Sequence, residues 1–374
     1  MLYTSPEAQL LVYCVTAHIN PNKYNKGLIE DTLKKDIDWD NFLYITGANK
    51  VIPMVWKSLN TFINNKIPNY VLNQLQDAYY KLVSHHIIHL NELKNLLVQF
   101  KKNDIPIIPF KGAVLGTFYS KSTLRQWGDL DIIVHKENII KVKELLNING
   151  YEPSSHPANL QLNKLLESDH AYYFVRKDGT VKIDVHWRLT NDDDEINFPM
   201  KRIWNYHTQQ VLFGVEVATM DPEDLILSTC IHHGVRNGWD ELRYVADFAI
   251  LIDAYQQLNW MKIIAYADNI RIKRALVVGI CLANLIFKVT IPSQFDKEII
   301  RDKNVKILQI SIYNKLFINH NLRRMYFINL IKIYLREDFQ TRLLLWNNLI
   351  KSSILHLIIP NEIDKFSIKS KSWS

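Results

Sequence analysis

Residues 109–134 read PFKGAVLGTFYSKSTLRQWGDLDIIV, and two features of this stretch pull against each other. Ile132, Ile133 and Val134 form a short β-branched run suited to a buried sheet, yet two acids, Asp129 and Asp131, open it. In a strand, residues i and i+2 share a face, so Asp129 and Asp131 point one way while Leu130 and Ile132 point the other. Carboxylates that close repel each other unless a cation or hydrogen-bond donors lie between them. Taken alone, D-x-D is short enough to recur by chance, as a turn cap followed by a strand-edge acid near Arg125.

A second stretch shifts the balance. In TVKIDVHWRL, residues 180–189, Val181, Ile183, Val185 and Trp187 alternate with Lys182, Asp184, His186 and Arg188. Asp184 therefore sits inside a strongly patterned strand, where an unpaired carboxylate is expensive. If the two strands are neighbours, Asp129, Asp131 and Asp184 converge. Three hard oxygen ligands suit Mg²⁺, with Mn²⁺ as a substitute, especially when phosphates complete the shell. Two such ions hold the attacking and leaving oxygens during phosphoryl or nucleotidyl transfer.

Upstream, Lys111-Gly112 supplies a glycine that lets backbone approach a phosphate, a helix start beyond it, and a positive charge; Arg125 offers another. The plain alternative is a flexible turn with surface solvation. No glycine-rich run ends in Gly-Lys-Ser/Thr, which disfavours a Walker-type kinase.

The chain around these motifs is long enough, at 374 residues, for two or three substructures. A net charge of +7 suits anionic substrates such as nucleotides, or nucleic acid, without choosing between them. Cys14, Cys230 and Cys281 lie far apart with no ligand spacing, which fits a reducing, cytoplasmic setting. No signal peptide or membrane span is read, and the apolar run from Ala275 to Phe287 reads as a buried helix.

The pattern is helical, then mixed, then helical. Residues 1–104 form an N-terminal helical region, in which Tyr70 to Phe100 carries apolar residues at steps of three and four. Residues 105–219 form an α/β core. Its elements are an edge strand over 105–110 containing Pro106 and Pro109, a helix over Ala113–Tyr119, and a strand over Leu130–Val134. A helix follows over Lys136–Asn149, then a hairpin from Tyr172 to Leu189 around Lys177-Asp178-Gly179, and a single strand over Val211–Thr219. Residues 220–374 form a C-terminal helical domain that starts at the Asp221-Pro222 cap and includes a helix over Trp239–Tyr255. Asp192 to Glu195 reads as a solvated loop, and the KSWS tail as frayed. The fold class is α+β.

In this order the motifs resemble the bacterial nucleotidyltransferase family of largely unassigned function, within the polymerase-beta-like nucleotidyltransferase superfamily. The residues that carry the resemblance are Lys111-Gly112, Leu115, Tyr119, Arg125, Asp129-Leu130-Asp131, the strand Lys182 to Trp187, and the segment CIHHGVRNGWDELRYVADFAIL at 230–251. One departure is Gly112-Ala113, where the superfamily has Gly-Ser; Lys111, backbone N–H groups or Ser122 are the candidates to compensate. The resemblance implies a core of small mixed sheet with helices and Mg²⁺-dependent transfer of a nucleoside monophosphate from an NTP, with release of pyrophosphate. The acceptor would be a small molecule, sugar or peptide. RNA-directed or toxin-like transfer to protein is the rival chemistry, and a non-catalytic nucleotide-binding protein the rival class. Basic residues at Lys101-Lys102, Arg271, Lys273 and Arg274 form no continuous stripe for nucleic acid.

The remaining candidates have two readings each. His170, after Asp169, either orients an aspartate or touches the nucleotide, or it simply ends a loop. Lys182 and His186 share the face of Asp184, where His186 either tunes it or is structural. Arg243 either faces the triphosphate with Asp247 fixing it, or belongs to an ion-pair ladder with Asp240 and Asp247. His232-His233 lacks partners at zinc spacing and is set aside as a metal site.

Overall fold

In the computed structural model, the described residues are 5–62, 66–154, 166–167, 169–191, 196–317 and 329–358. The Asp192–Glu195 loop and the KSWS tail lie outside them. The first region holds α1 (Pro6–Ile19), α2 (Lys26–Thr32), α3 (Trp39–Ala48), α4 (Ile52–Leu59) and α5 (Asn69–Lys102). Side-chain caps fix the starts of α1 and α3, where Ser5 and Asp38 accept from backbone N–H groups inside the first turn.

The helix α5 has 34 residues and is about 50 Å long. Its length lets it serve two cores. Val71, Leu75 and Tyr79 pack with the other helices, while Leu93, Leu96, Leu97 and Phe100 pack against the sheet. Pro106 follows the turn that ends it, as the sequence predicts.

The sheet consists of β1 (Ile107–Phe110), β2 (Leu130–Val134), β3 (Tyr151–Pro153), β4 (Ala171–Arg176) and β5 (Lys182–His186), in the order β1-β2-β5-β4-β3. The β2–β5 pair is parallel, and the β1–β2, β4–β5 and β3–β4 pairs are antiparallel. β1 occupies the edge, where the missing N–H of Pro109 is tolerated. α6 (Gly112–Gly116) and α7 (Ile139–Ile148) fill the connections. Leu130, Ile132, Ile183, Val185, Tyr172 and Phe174 share one buried core with α7. The opposite face of β2 and β5 carries Asp131, Asp184 and His186.

Three local expectations differ from the structure. The helix after Lys111 ends at Gly116 and does not reach Tyr119. The stretch expected as one strand is a hairpin, β6 (Thr208–Leu212) and β7 (Val215–Thr219). Its turn places Phe213 at φ 55° and Gly214 at φ 82°, the two positive values a tight hairpin needs, and a phenylalanine in the first hides the turn from sequence. The helix expected from Trp239 starts instead at Leu242, because Trp239 has φ 54° and leaves the helical path.

After α8 (Met200–Tyr206) and the hairpin, the chain continues as α9 (Pro222–Thr229), a π-helix (Cys230–Arg236), α10 (Leu242–Ala254), α11 (Trp260–Asn269), α12 (Lys273–Phe287), α13 (Asp296–Arg301), α14 (Lys303–Leu316) and α15 (Phe339–Ile358). The early and late helices share one hydrophobic core. Asn49, fully buried, ties them together: its Nδ2 donates to the carbonyls of Ile45 and Leu316 at 2.8 Å each, and its Oδ1 accepts from Leu242 N–H at 2.8 Å. Two regions separate in sequence thus form one helical body beside the sheet.

Candidate active site

The parallel pairing of β2 and β5 sets Asp131 directly opposite Asp184. Their flanking residues, Ile132 with Val185 and Leu130 with Ile183, bury the other face. Asp131, Asp184 and His186 each offer one ligand atom, and these atoms lie within 4.8 Å of one another. Asp129 stands one residue before β2, half-buried. Burial, followed by the charge of Asp131, raises the pKa of Asp129. Burial and then Asp131 and Asp129 push Asp184 up to about 8. Crowded acids of this kind fit a divalent cation, which would relieve the repulsion that shifts them.

The charge of Lys111 already sits among them. Its Nζ lies 2.7 Å from Asp131 Oδ1 and 3.4 Å from His186 Nε2, and His186 Nε2 lies 3.1 Å from the same Asp131 oxygen. Lys111 adopts φ 51° and ψ −122°, a region that a residue with a Cβ enters only under strain. Burial, then Lys111, holds the pKa of His186 well below its usual range, so the ring is neutral.

Gly112 is buried against its own chain. A Cβ there would stand 3.2 Å from the Asp129 carbonyl oxygen and 3.3 Å from Trp127 Cε3. The missing side chain lets the α6 turn press onto the segment that leads into Asp129.

Arg125, expected to add charge to a phosphate site, is 1% exposed. Its Nε and Nη2 donate to the two oxygens of Asp247 at 2.7 and 2.8 Å, and its Nη1 to the Gly112 carbonyl at 3.1 Å. Asp247 also accepts from Tyr119 at 2.8 Å and lies 3.0 Å from His233 Nε2. Arg125 thus clamps the Lys111-Gly112 turn to α10. The expected link from Asp247 to Arg243 is replaced: Arg243 bonds Glu241 at 2.7 Å and the Gln126 carbonyl at 3.1 Å. It still acts on the acids, as one of the charges that favour ionised Asp129.

His170 Nδ1 lies 2.8 Å from Asp169 Oδ1, and its Nε2 lies 3.1 Å from Arg236 Nη1. Burial and then the Arg236 charge lower its pKa to about 4, so the neutral ring accepts from the guanidinium. Its ring centroid is 5.4 Å from that of His186. Lys182 is exposed at the outer end of β5.

Sequence reasoning missed Arg236. It closes the π-helix, whose first five residues include the His232-His233 pair, and reaches from the helical body to the sheet. A π-turn is a frequent feature of functional sites, but nothing in HHGVR announces it. The pair itself bonds internally, Nδ1 to Nδ1 at 2.9 Å. Also missed was a histidine cluster on α5: His86 stacks on Trp127 with centroids 4.9 Å apart, and His85 on His89 at 3.7 Å. The period of three and four places these histidines on α5, but their partner comes from another element.

The sequence pattern of the family described as uncharacterised nucleotidyltransferase matches residues 35–288, more than half of the chain. No curated protein is significantly similar in sequence. Among solved structures, the antibiotic-resistance factor ANT(2'')-Ia, in complex with adenylyl-2''-tobramycin, is 12% identical, with 49% of this chain and 96% of that chain covered at a TM-score of 0.36. The lincosamide antibiotic adenylyltransferase LnuA, lincomycin-bound, is 16% identical over 43% of this chain and 94% of that chain, at 0.30. An antigenic nucleotidyltransferase-like protein from Paracoccidioides brasiliensis is 16% identical over 50% and 91%, at 0.32. Likeness this distant carries no argument about acceptor or donor. The family match spans the Lys-Gly turn, both carboxylate strands and the π-helix, and with it this chain belongs to the family of uncharacterised nucleotidyltransferases.

Proposed function

We propose that the protein moves a nucleoside monophosphate from an NTP to a hydroxyl or phosphate of a small-molecule, sugar or peptide acceptor, releasing pyrophosphate. The observation that carries this reading is the in-register pair Asp131 and Asp184, with His186 within ligand distance and Lys111 bonded to Asp131. Asp131, Asp184 and His186 would hold Mg²⁺ or Mn²⁺, with Asp129 at the rim and able to share a second ion. Such a cation neutralises the triphosphate and the departing pyrophosphate.

The chain's own groups divide the remaining work. Lys111, bonded to Asp131, and Arg236, held by His170 and acting on His186, would supply positive charge for triphosphate oxygens. Asp169 fixes His170, and His170 in turn holds Arg236. Asp184 would take the proton of the acceptor hydroxyl, and the cation it holds would offset the burial and neighbouring acids that disfavour its charge. Arg125 and Asp247 lock the Lys111-Gly112 turn so that the ammonium stays on Asp131. Among the described residues no helix is long and apolar enough to cross a membrane.

The test is calorimetric titration of ATP, CTP, GTP and UTP, with and without Mg²⁺, into the full chain and into Asp131→Asn. Metal-dependent binding of a triphosphate that the substitution weakens is the expected result. Wild-type protein that binds none of the four under any condition would overturn the reading.

A further inference from the structure

A cleft of about 890 Å³ opens where the middle of α5, Gly128 and the tip of the β4–β5 hairpin meet. Asp77, Tyr80, Ser84 and Ile88, spaced by three and four, present one side of α5 to it, and Thr180 and Lys182 close the other side. Gly128 directly precedes Asp129, whose charge acts on His85 in the cleft wall, and Lys182 stands two residues from Asp184, so the cleft runs toward the carboxylates without being lined by them. We propose that it is the acceptor site, and that its acceptor is a small polyhydroxylated, sugar-like molecule; this rests on the nucleotidyl-transfer reading above.

Three features carry the assignment. Tyr80 is 55% exposed and Ile88 43%, an aromatic ring and an aliphatic side chain left without cover beside a reactive centre. Between them Asp77, Ser84 and Thr180 supply hydrogen-bonding oxygens. An apolar wall studded with hydroxyl and carboxylate groups matches a ring that shows C–H faces and hydroxyl edges. The volume is that of a small-molecule site, too small for a nucleic-acid helix.

Charge separates this cleft from the donor site. Lys81 and Lys182 against Asp77 leave one positive charge among its lining residues, too little to hold a triphosphate. The cations that act on the carboxylates and His186, namely Lys111, Arg243 and Arg236, do not line it. Lys182 also borders a second cavity of about 410 Å³ that contains Asp184 and Tyr173. The two spaces therefore share the Lys182 side chain, and the second of them contains a carboxylate of the transfer site.

The experiment is saturation-transfer NMR of the full chain with glucose, glucosamine, inositol and sucrose as probes, on wild type, Ser84→Trp and Tyr80→Ala. Circular dichroism verifies the fold of each variant, and the same samples are titrated with the triphosphates. Expected are transfer to at least one probe in wild type, its loss in Ser84→Trp, and about tenfold weaker binding in Tyr80→Ala, which lacks one ring face. Wild type that transfers to none of the probes overturns the ligand class, and transfer undiminished in folded Ser84→Trp overturns the location. Loss of triphosphate binding in folded Ser84→Trp assigns the cleft to the donor and also overturns the proposal. Probe binding in a wild type that takes no triphosphate sinks the underlying reading separately.

Discussion

Asp247 accepts two hydrogen bonds from Arg125, at 2.7 and 2.8 Å, across 122 positions of sequence and from a different structural body. Both side chains are buried, at 0 and 2% exposure, and Tyr119 and His233 complete the shell of the carboxylate. This pair fastens the helical body to the turn that carries Lys111. Removing one partner strands a buried charge, so Asp247→Ala is expected to cost about 3–5 kcal/mol. Urea denaturation of the two proteins measures it, and a difference below about 1 kcal/mol would show that the pair is not a structural clamp.

Asp184→Asn is expected to separate activity from stability. Turnover should fall at least about a thousandfold, equal to about 4 kcal/mol of transition-state stabilisation. Burial and two neighbouring acids disfavour the Asp184 charge, so the thermal midpoint without metal should equal or exceed that of wild type near pH 8. A variant that unfolds instead would mark Asp184 as structural.

Acid stability follows from the buried histidines. His86, His170 and His233 are 1, 3 and 1% exposed, and burial lowers each to about 4. Their ordinary pKa is about 6.5, so between those values the unfolded chain binds more protons than the folded one. Stability therefore rises with pH across this window and is lost as pH falls from about 6.5 toward 4, by up to about 4 kcal/mol per pH unit for three groups. Asp247, held well below the usual carboxylate range by Arg125 and His233 against burial, adds stability that is present above the ordinary carboxylate pKa and disappears only at more acidic pH. Melting temperatures from pH 7 to 4 check the sign; a flat profile would contradict it.

Gly279→Ala tests the packing of Trp239. The indole lies against Gly234, where an added Cβ would come within 2.8 Å of Nε1, and more closely still against Gly279. Its Nε1 donates to the Ala275 carbonyl at 3.2 Å, which pins the ring. Overpacking is expected to cost about 1–3 kcal/mol, and thermal denaturation would reveal it. An unchanged midpoint would mean that the α12 backbone gives way.

Arg236→Ala should raise the KM for the triphosphate about tenfold to a hundredfold and shift kcat less, since the guanidinium, held by His170, acts on His186 of the proposed site. Arg236→Lys should restore part of the loss. Steady-state kinetics of the two variants decide it, and a variant with unchanged KM would leave Arg236 a purely structural link.

The sequence alone determined the central strands, the long helices and the acidic character of one strand face. Alternation in residues 180–189 sets Asp184 and His186 on one side of β5 and Ile183 and Val185 on the other. The strand period likewise sets Asp131 opposite Leu130 and Ile132, while Asp129 stands just before β2, where that period no longer applies. Nothing local could tell that β2 and β5 lie side by side in parallel, since that pairing closes over the 47 residues between them and depends on both strands burying their other face. Tertiary structure also decided which basic groups meet which acids. Arg125 and Arg243 read alike in sequence, yet one is buried against Asp247 and the other held by Glu241. A buried guanidinium takes whichever carboxylate the packing brings within reach, and that choice is made between elements far apart in the chain. The π-turn that delivers Arg236, and the shared core that joins the first helices to the last, belong to the same class of fact.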